Sequence, residues 1–274
     1  MAILGEDLRG GWFRRMFTPV DPLGFWWALG LAVALLLLHV FLQFLISQAV
    51  IPILFDSAFG VVRVQVKAGL VSVFPASLVV AAAAWALARR GAGNPVRVLN
   101  LRRPKITLLG WVVLIAGFLL FMYAAIILVI LVFGIDLAQY TPGPDGQSPE
   151  TGSAGEVKEA MFDIANEPWL FALVFPSIAL GAPIAEELIF RGQLFSALSQ
   201  TRLGVSGTSI VTAALWSGLH FSEPLLSIGI IFIMGLVFGW MIYRFGSLWL
   251  TMACHAAWNA IYGVLIFTTI GGQA

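Results

Sequence analysis

Long apolar runs constrain this chain more than any other feature. A helix needs about 20 apolar residues to cross a bilayer. Runs approaching or exceeding that length fall at 25–48, 68–88, 107–134, 168–198, 206–221, 225–243 and 247–270. The chain is 60% hydrophobic and 11% charged, against about 25% charged residues in soluble domains. The sequence therefore predicts an all-α fold, a polytopic membrane helix bundle of about seven transmembrane helices, within a range of six to eight.

Charge and cysteine content exclude several classes of protein. The net charge of +1 argues against an acidic or nucleic-acid partner. Cys254 is the sole cysteine, which excludes an internal disulfide framework and a Cys/His zinc cluster of the usual kind. Arg14 and Arg15 precede the first apolar run, but this run exceeds the roughly 7–15 residues of a signal-peptide core. We expect it to be retained as the first helix.

The distribution of basic residues predicts the orientation. Segment 89–105 carries arginine and lysine without any acid and should be cytoplasmic, whereas the acidic segment 135–167 should be external. Alternating spans then place five further arginines inside: Arg9, Arg14, Arg15, Arg202 and Arg244. Arg63 and Lys67 lie outside, against the trend. We expect an integral protein of the cytoplasmic (inner) membrane with its N-terminus cytoplasmic and its C-terminus external.

These spans divide the chain into four regions. We expect a cytoplasmic N-terminal segment at 1–24, three transmembrane helices without catalytic motifs at 25–134, an external acidic loop at 135–167, and catalytic membrane helices at 168–270. The external loop opens with a turn-rich stretch at 140–146. Its later apolar residues recur at helical spacing and predict a short amphipathic helix on the outer surface; they are Val157, Met161 and Ile164.

Two adjacent glutamates lie within the fourth apolar run. Charged residues inside a membrane face the protein interior and are functional by default. Glu187 and Arg191 are four residues apart, so they share a helical face and can pair. Glu186 points about 100° away and has no partner in its own helix, as suits a general base. Gly181 and Pro183 interrupt this run, and we expect a kink or break there.

Two further polar clusters follow on later apolar runs. His220 lies one turn after Trp216, whose ring could wall a pocket. His255 and Asn259 share one helical face, and small alanines around them permit close helix approach. A carboxylate or imidazole can deprotonate water, and an imidazole with an amide can stabilise an oxyanion. The same groups could bind a divalent metal such as zinc. Straight helices would place Glu186 in the cytoplasmic third of the membrane and His220 far above it.

The order of these motifs resembles the CAAX-protease and bacteriocin-processing family, also called CPBP or ABI, of intramembrane endopeptidases. The motifs are Glu-Glu-x-x-x-Arg at 186–191, aromatic-x-x-x-His at 216–220 and His-x-x-x-Asn at 255–259. The resemblance, closest to the type II CAAX prenyl endopeptidase branch, covers roughly residues 165–265. It departs from the family pattern at Trp216, where phenylalanine is usual.

The resemblance implies a role for each motif residue. Glu186 and His220 would activate the attacking water, while His255 and Asn259 would stabilise the oxyanion. Glu187 and Arg191 would form the supporting pair. No cofactor is certain, and the chain lacks His-Glu-x-x-His. If a metal is present, we expect its ligands to be Glu186, His220 and His255. The expected partners are a membrane-associated protein or peptide substrate and the lipid bilayer, with no nucleic acid.

Other functions remain open. A proton-coupled transporter would use glutamate and histidine as a proton relay, although the chain has no internal repeat. A non-catalytic immunity or binding member of the same family could keep the motifs. A rhomboid-like serine protease would use Ser217 with His255, but this reading leaves both glutamates without a role.

Overall fold

The computed structural model describes residues 3–9, 11–19, 24–55, 62–92, 94–136 and 153–270. Apart from one isolated pairing of Gly5 with Ile106, these residues form no β-structure. The all-α class is confirmed. The helices are α1 (Phe25–Leu54), α2 (Val62–Ala92), α3 (Pro95–Val98), α4 (Leu108–Phe133), α5 (Ser153–Asn166), α6 (Pro168–Leu198), α7 (Gly204–Gly218), α8 (Leu225–Phe245) and α9 (Leu248–Ile270). Helix α6 is one continuous helix made of consecutive α-helical and π-helical turns.

Five helices among the described residues are long and apolar enough to cross a membrane. They are α1, the Val62–Arg90 part of α2, α4, α6 and α8. The two remaining predicted spans also form helices, α7 with 15 residues and α9 with 23. Neither belongs to this group of five, so their crossing of the bilayer stays a prediction.

Helix α5 is the short amphipathic helix that the sequence predicts, and it docks at the start of α2. Arg63 pairs with Glu159, and Lys67 Nζ lies 2.7 Å from Asp163 Oδ2. Ile164 is buried in a small apolar cluster between these helices and α6. The two basic residues that oppose the positive-inside trend are thus neutralised by acids of segment 135–167. The stretch at 140–146 lies outside the described residues.

The opposite end of the bundle gathers the N-terminal segment and the basic loop before α4. The Asp7 carboxylate accepts hydrogen bonds of 2.9 Å from Arg102 Nη1 and 2.8 Å from the Lys105 backbone N–H. Tyr243, near the end of α8, accepts hydrogen bonds through its carbonyl from the backbone N–H groups of Met16 and Phe17. These contacts place the predicted cytoplasmic segments together at one end. Which end faces the cytoplasm stays a prediction.

Helix α6 is continuous at the position where the sequence predicts a kink or break, so the predicted break is wrong. Instead of breaking at Gly181 and Pro183, it widens into π-helical turns at Ser177–Gly181 and Leu188–Leu194. Helix α2 crosses closely here, since a Cβ on Gly181 would lie 2.8 Å from the Cα of Phe74. Glycine is therefore required by the close approach of two backbones.

A serine joins the irregular turns of α2 and α6. Pro75 has no N–H, so the carbonyl of Val71, four residues earlier, loses its helical donor. The fully buried Ser177 hydroxyl donates to this carbonyl at 3.2 Å and accepts from the Phe74 N–H at 3.1 Å. This contact fixes α2 against α6 nine residues before Glu186.

Candidate active site

The buried centre of α6 holds the expected ion pair. Glu187 Oε1 and Arg191 Nη1 are 3.0 Å apart, and both side chains are fully buried. The Arg191 guanidinium lies 4.3 Å from the ring centre of Trp216 and 5.3 Å from that of Phe238. Aromatic faces attract a cation by their quadrupole, so the rings help to hold Arg191 where water is excluded.

Glu187 has a second basic neighbour on another helix. His255 Nδ1, on α9, lies 3.4 Å from the same Oε1 that binds Arg191. A carboxylate attracts the protonated nitrogen of an imidazole and so sets the orientation of the ring. Glu187 therefore connects the arginine of its own helix to the histidine of α9, which in-helix spacing alone does not indicate.

Glu186 is not without a partner. The indole Nε1 of Trp216 donates a hydrogen bond of 2.5 Å to Glu186 Oε2. The sequence predicts only an apolar wall at Trp216 and no partner for Glu186. The difference arises because the donor reaches across from α7, whereas the sequence argument covers contacts within one helix. Glu186 itself remains partly exposed.

The last turn of α7 fixes the tautomer of His220, which follows this helix. Its Nδ1 lies 3.0 Å from the backbone carbonyl oxygen of Trp216. A carbonyl oxygen can only accept, so Nδ1 must carry the hydrogen. In the neutral ring Nε2 is then unprotonated and can accept a proton.

The length of α7 explains how His220 and Glu186 come to the same region. Fifteen residues extend for about 22 Å, less than the roughly 30 Å of the hydrocarbon core. His220 follows the end of this short helix, and Trp216 lies one turn earlier. The expected separation in depth is bridged by the Trp216 side chain, without a break in α6.

Asn259 is positioned by a carbonyl of α6. In the π-helical turn the N–H of Ala182 donates to Ser177, five residues back. The equivalent donor for the Ile178 carbonyl would be residue 183, a proline, which has no N–H. Asn259 Nδ2 donates to this carbonyl at 3.0 Å instead. One N–H of its amide group is thereby used, and the second remains for another acceptor.

Trp216 is the common contact of the site. Its ring centre lies 5.9 Å from that of His220 and 5.2 Å from that of His255, in addition to its bond to Glu186. The ring is 2% exposed. Asn259 donates instead to the Ile178 carbonyl of α6, and it lies one turn after His255 on α9.

The serine-protease arrangement receives no support from the geometry. Ser217 Oγ donates to the Ala214 carbonyl of its own helix at 3.2 Å. Among the described residues, no hydrogen bond or ion pair connects Ser217 with His255.

The residues suggested as metal ligands do not fit a metal site here. Within the described ranges, no group of three His, Cys, Asp or Glu side chains could hold an ion. Glu186 accepts from an indole, and His255 turns Nδ1 toward Glu187. The three suggested ligands, Glu186, His220 and His255, thus surround an aromatic ring rather than a common point.

A polar pair from the first two helices lies beside this site. His39 Nε2 is 3.1 Å from Ser77 Oγ, and both residues are buried. His39 is close enough to Glu186 for the carboxylate charge to act on its ring. The sequence offers one indication of this residue, because His39 is the single histidine in the first three apolar runs. No motif connects it to the later clusters.

Comparison with known families supports the resemblance drawn from the motifs. Residues 168–261 match the family model described as Type II CAAX prenyl endopeptidase Rce1-like. The match spans 94 of 274 residues and includes all three motifs. No curated protein and no solved structure matches the chain.

Proposed function

We propose that the chain is an intramembrane endopeptidase that hydrolyses a peptide bond in a membrane-associated substrate. The observation that carries this proposal is the set of contacts around Trp216, which link one carboxylate and two imidazoles inside a helix bundle. The family match over the same helices supports it. The substrate class follows from the setting, because a site within membrane helices meets substrates that are themselves in the bilayer.

Water activation is assigned to Glu186 and His220. Trp216 fixes Oε2 of Glu186, so the other carboxylate oxygen is left to accept a hydrogen from water. His220 can accept a proton at Nε2, because Nδ1 is held by a carbonyl. The water oxygen forms the new bond to the peptide carbonyl carbon as its proton passes to one of these two bases.

Oxyanion stabilisation is assigned to His255 and Asn259. The peptide carbonyl oxygen gains negative charge as the tetrahedral intermediate forms, and positioned N–H groups stabilise it. Asn259 offers its second amide hydrogen, and His255 offers Nε2–H when the ring is protonated beside Glu187. Collapse of the intermediate breaks the C–N bond, and the proton taken from water is returned to the leaving amine.

The supporting role of Glu187 and Arg191 follows from their burial. A buried carboxylate that is paired with a guanidinium is a poor proton acceptor, since protonation would leave the arginine uncompensated. Glu187 is therefore assigned to holding Arg191 and His255 in place. This separates the two adjacent glutamates into a reacting group and a positioning group.

Cleavage in proteoliposomes tests the proposal. Two peptides that share the same cleavable segment are compared. One carries a prenylated cysteine followed by further residues, and the other is joined to a transmembrane segment. Mass spectrometry of the products identifies the broken bond. We expect cleavage of at least one peptide by the native chain and none by Glu186→Gln at equal expression.

Two other outcomes separate the alternatives. Proton flux across the liposome membrane without cleavage would favour a transporter. Tight binding of either peptide without cleavage, unchanged in Glu186→Gln, would favour a non-catalytic member of the family. Either result would contradict the peptidase assignment.

A further inference from the structure

An apolar cavity of about 580 Å³ lies between α4 and α8. Val113, Gly117 and Phe121 line it from α4, and Val237 and Trp240 line it from α8. Val113 and Phe121 are about half exposed, at 46% and 53%. The cavity is therefore open toward the space that bilayer lipid occupies.

A pair of tryptophans marks one end of this cavity. Trp12 of the N-terminal segment lines the cavity, and its ring centre lies 6.0 Å from that of Trp240. Tryptophan is enriched where a bilayer meets water. We therefore expect this end of the cavity at the level of the lipid headgroups.

Two arginines that are not part of the cavity lining follow these tryptophans closely in the chain. Arg14 follows Trp12 by two residues, and Arg244 follows Trp240 by one helical turn. Arg14 Nη1 and Arg244 Nη2 both donate to the carbonyl of Arg9, each at 3.4 Å. Two like charges thus converge on one neutral oxygen, through hydrogen bonds at the limit of the usual distance.

Arg244 makes no direct ion pair within the described part of the chain, and its hydrogen bond there is to the neutral Arg9 carbonyl. It is 1% exposed, and its Nε and Nη1 find no acceptor there. Asp7 is near enough to attract it, but Asp7 Oδ2 already accepts from Arg102 and Lys105. A buried cation whose nearest carboxylate is engaged by other donors is costly, and an added anion would lower that cost.

We propose that this cavity binds an anionic phospholipid. Its acyl chain lies against Gly117 and Val237, and its phosphate lies beside Arg14 and Arg244. The phosphate replaces the long contacts of both arginines with the Arg9 carbonyl. A zwitterionic lipid fills the same cavity but brings a cationic group to the arginines. The site therefore selects by headgroup charge.

Thermal unfolding in detergent with added lipid tests this inference. Phosphatidylglycerol and phosphatidylcholine with identical acyl chains are titrated against the native chain. We expect phosphatidylglycerol to raise the Tm at lower concentration. Arg14→Gln should weaken its apparent affinity about fivefold, from the strength of one basic residue acting on an anionic lipid.

A cavity-filling variant tests the acyl-chain half of the site. A Cβ on Gly117 meets nothing within 4 Å, so Gly117→Leu projects into the cavity without strain in the helix. We expect this variant to fold and to lose the stabilisation by phosphatidylglycerol. Gly30→Leu is the matched control, because Gly30 is also exposed on a membrane helix with open space around it.

Arg89→Gln is the matched control for charge. Arg89 is an exposed arginine in the last turn of α2 and is not part of the cavity lining. Equal stabilisation by both lipids would overturn the proposal. An equal loss in Arg89→Gln would do the same, because it would indicate general surface attraction.

One further result would assign the cavity to another occupant. If Gly117→Leu raised the KM for a prenylated peptide while the response to phosphatidylglycerol stayed intact, the cavity would hold the apolar anchor of the substrate. The lipid proposal would then be wrong. The lipid proposal can be tested whether or not the chain is a peptidase, because the lipid titrations of the Tm contain no substrate.

Discussion

The indole Nε1 of Trp216 donates a 2.5 Å hydrogen bond to Oε2 of Glu186, joining α7 to α6 inside the bundle. Phenylalanine, the usual residue in the family that the motifs resemble, has no hydrogen to donate. In this chain the aromatic position therefore does more than exclude water, because it also fixes the carboxylate to which we assign the reaction.

Trp216→Phe should retain the fold and lose most of the turnover. A hydrogen bond to a charged group contributes about 1.5–3 kcal/mol, so kcat should fall about ten- to a hundredfold with little change in KM. The indole N–H resonance that disappears in this variant identifies Trp216 in ¹⁵N-tryptophan spectra. That resonance should shift in Glu186→Gln. Trp111→Phe on α4 is the control, and an unchanged kcat in Trp216→Phe would remove the positioning role.

The two adjacent glutamates should respond differently to the same substitution. Glu186→Gln should abolish cleavage and leave the Tm nearly unchanged, because its amide oxygen still accepts from Trp216. Glu187→Gln should lower both the cleavage rate and the Tm, since breaking a buried ion pair costs about 3–5 kcal/mol. Arg191→Ala should have the same two effects. Cleavage rate and Tm are measured together. A stable, inactive Glu187→Gln beside an active Glu186→Gln would assign the base to the other carboxylate.

Ser177→Ala should destabilise the contact between α2 and α6. The Val71 carbonyl then loses its donor, at a cost of about 1–3 kcal/mol. Pro75→Ala restores a helical N–H to that carbonyl, so Ser177→Ala should cost less in that background. Denaturant unfolding of the four members of this double-mutant cycle measures the coupling. Equal costs in both backgrounds would show that the serine acts independently of the proline.

Labelling of single cysteines should locate the two ends of the bundle. With Cys254 replaced, Arg90→Cys should react with a membrane-impermeant reagent from the cytoplasmic side and Asp145→Cys from the outside. Arg63 and Lys67 pair with Glu159 and Asp163, so they belong to the same end as the acidic segment. Labelling of position 145 from the cytoplasm alone would invert the predicted orientation.

Local patterns in the sequence were sufficient for the helices and for the pair within α6. Apolar runs longer than the bilayer core require helices in any arrangement. Glu187 and Arg191 meet because residues four apart share a helical face, and the structure has this contact at 3.0 Å. Both follow from spacing along one segment and do not depend on the neighbouring helices.

Contacts between segments were decided only by the tertiary structure. The sequence predicted a kink or break at Gly181 and Pro183. The structure has no break there, because α6 continues through π-helical turns whose carbonyl and hydroxyl groups bond to α2 and α9. The sequence likewise left Glu186 without a partner, because the donor lies thirty residues away on α7. Spacing within one helix sets which side chains share a face, but the depth and rotation of the facing helix determine which groups meet across the interface.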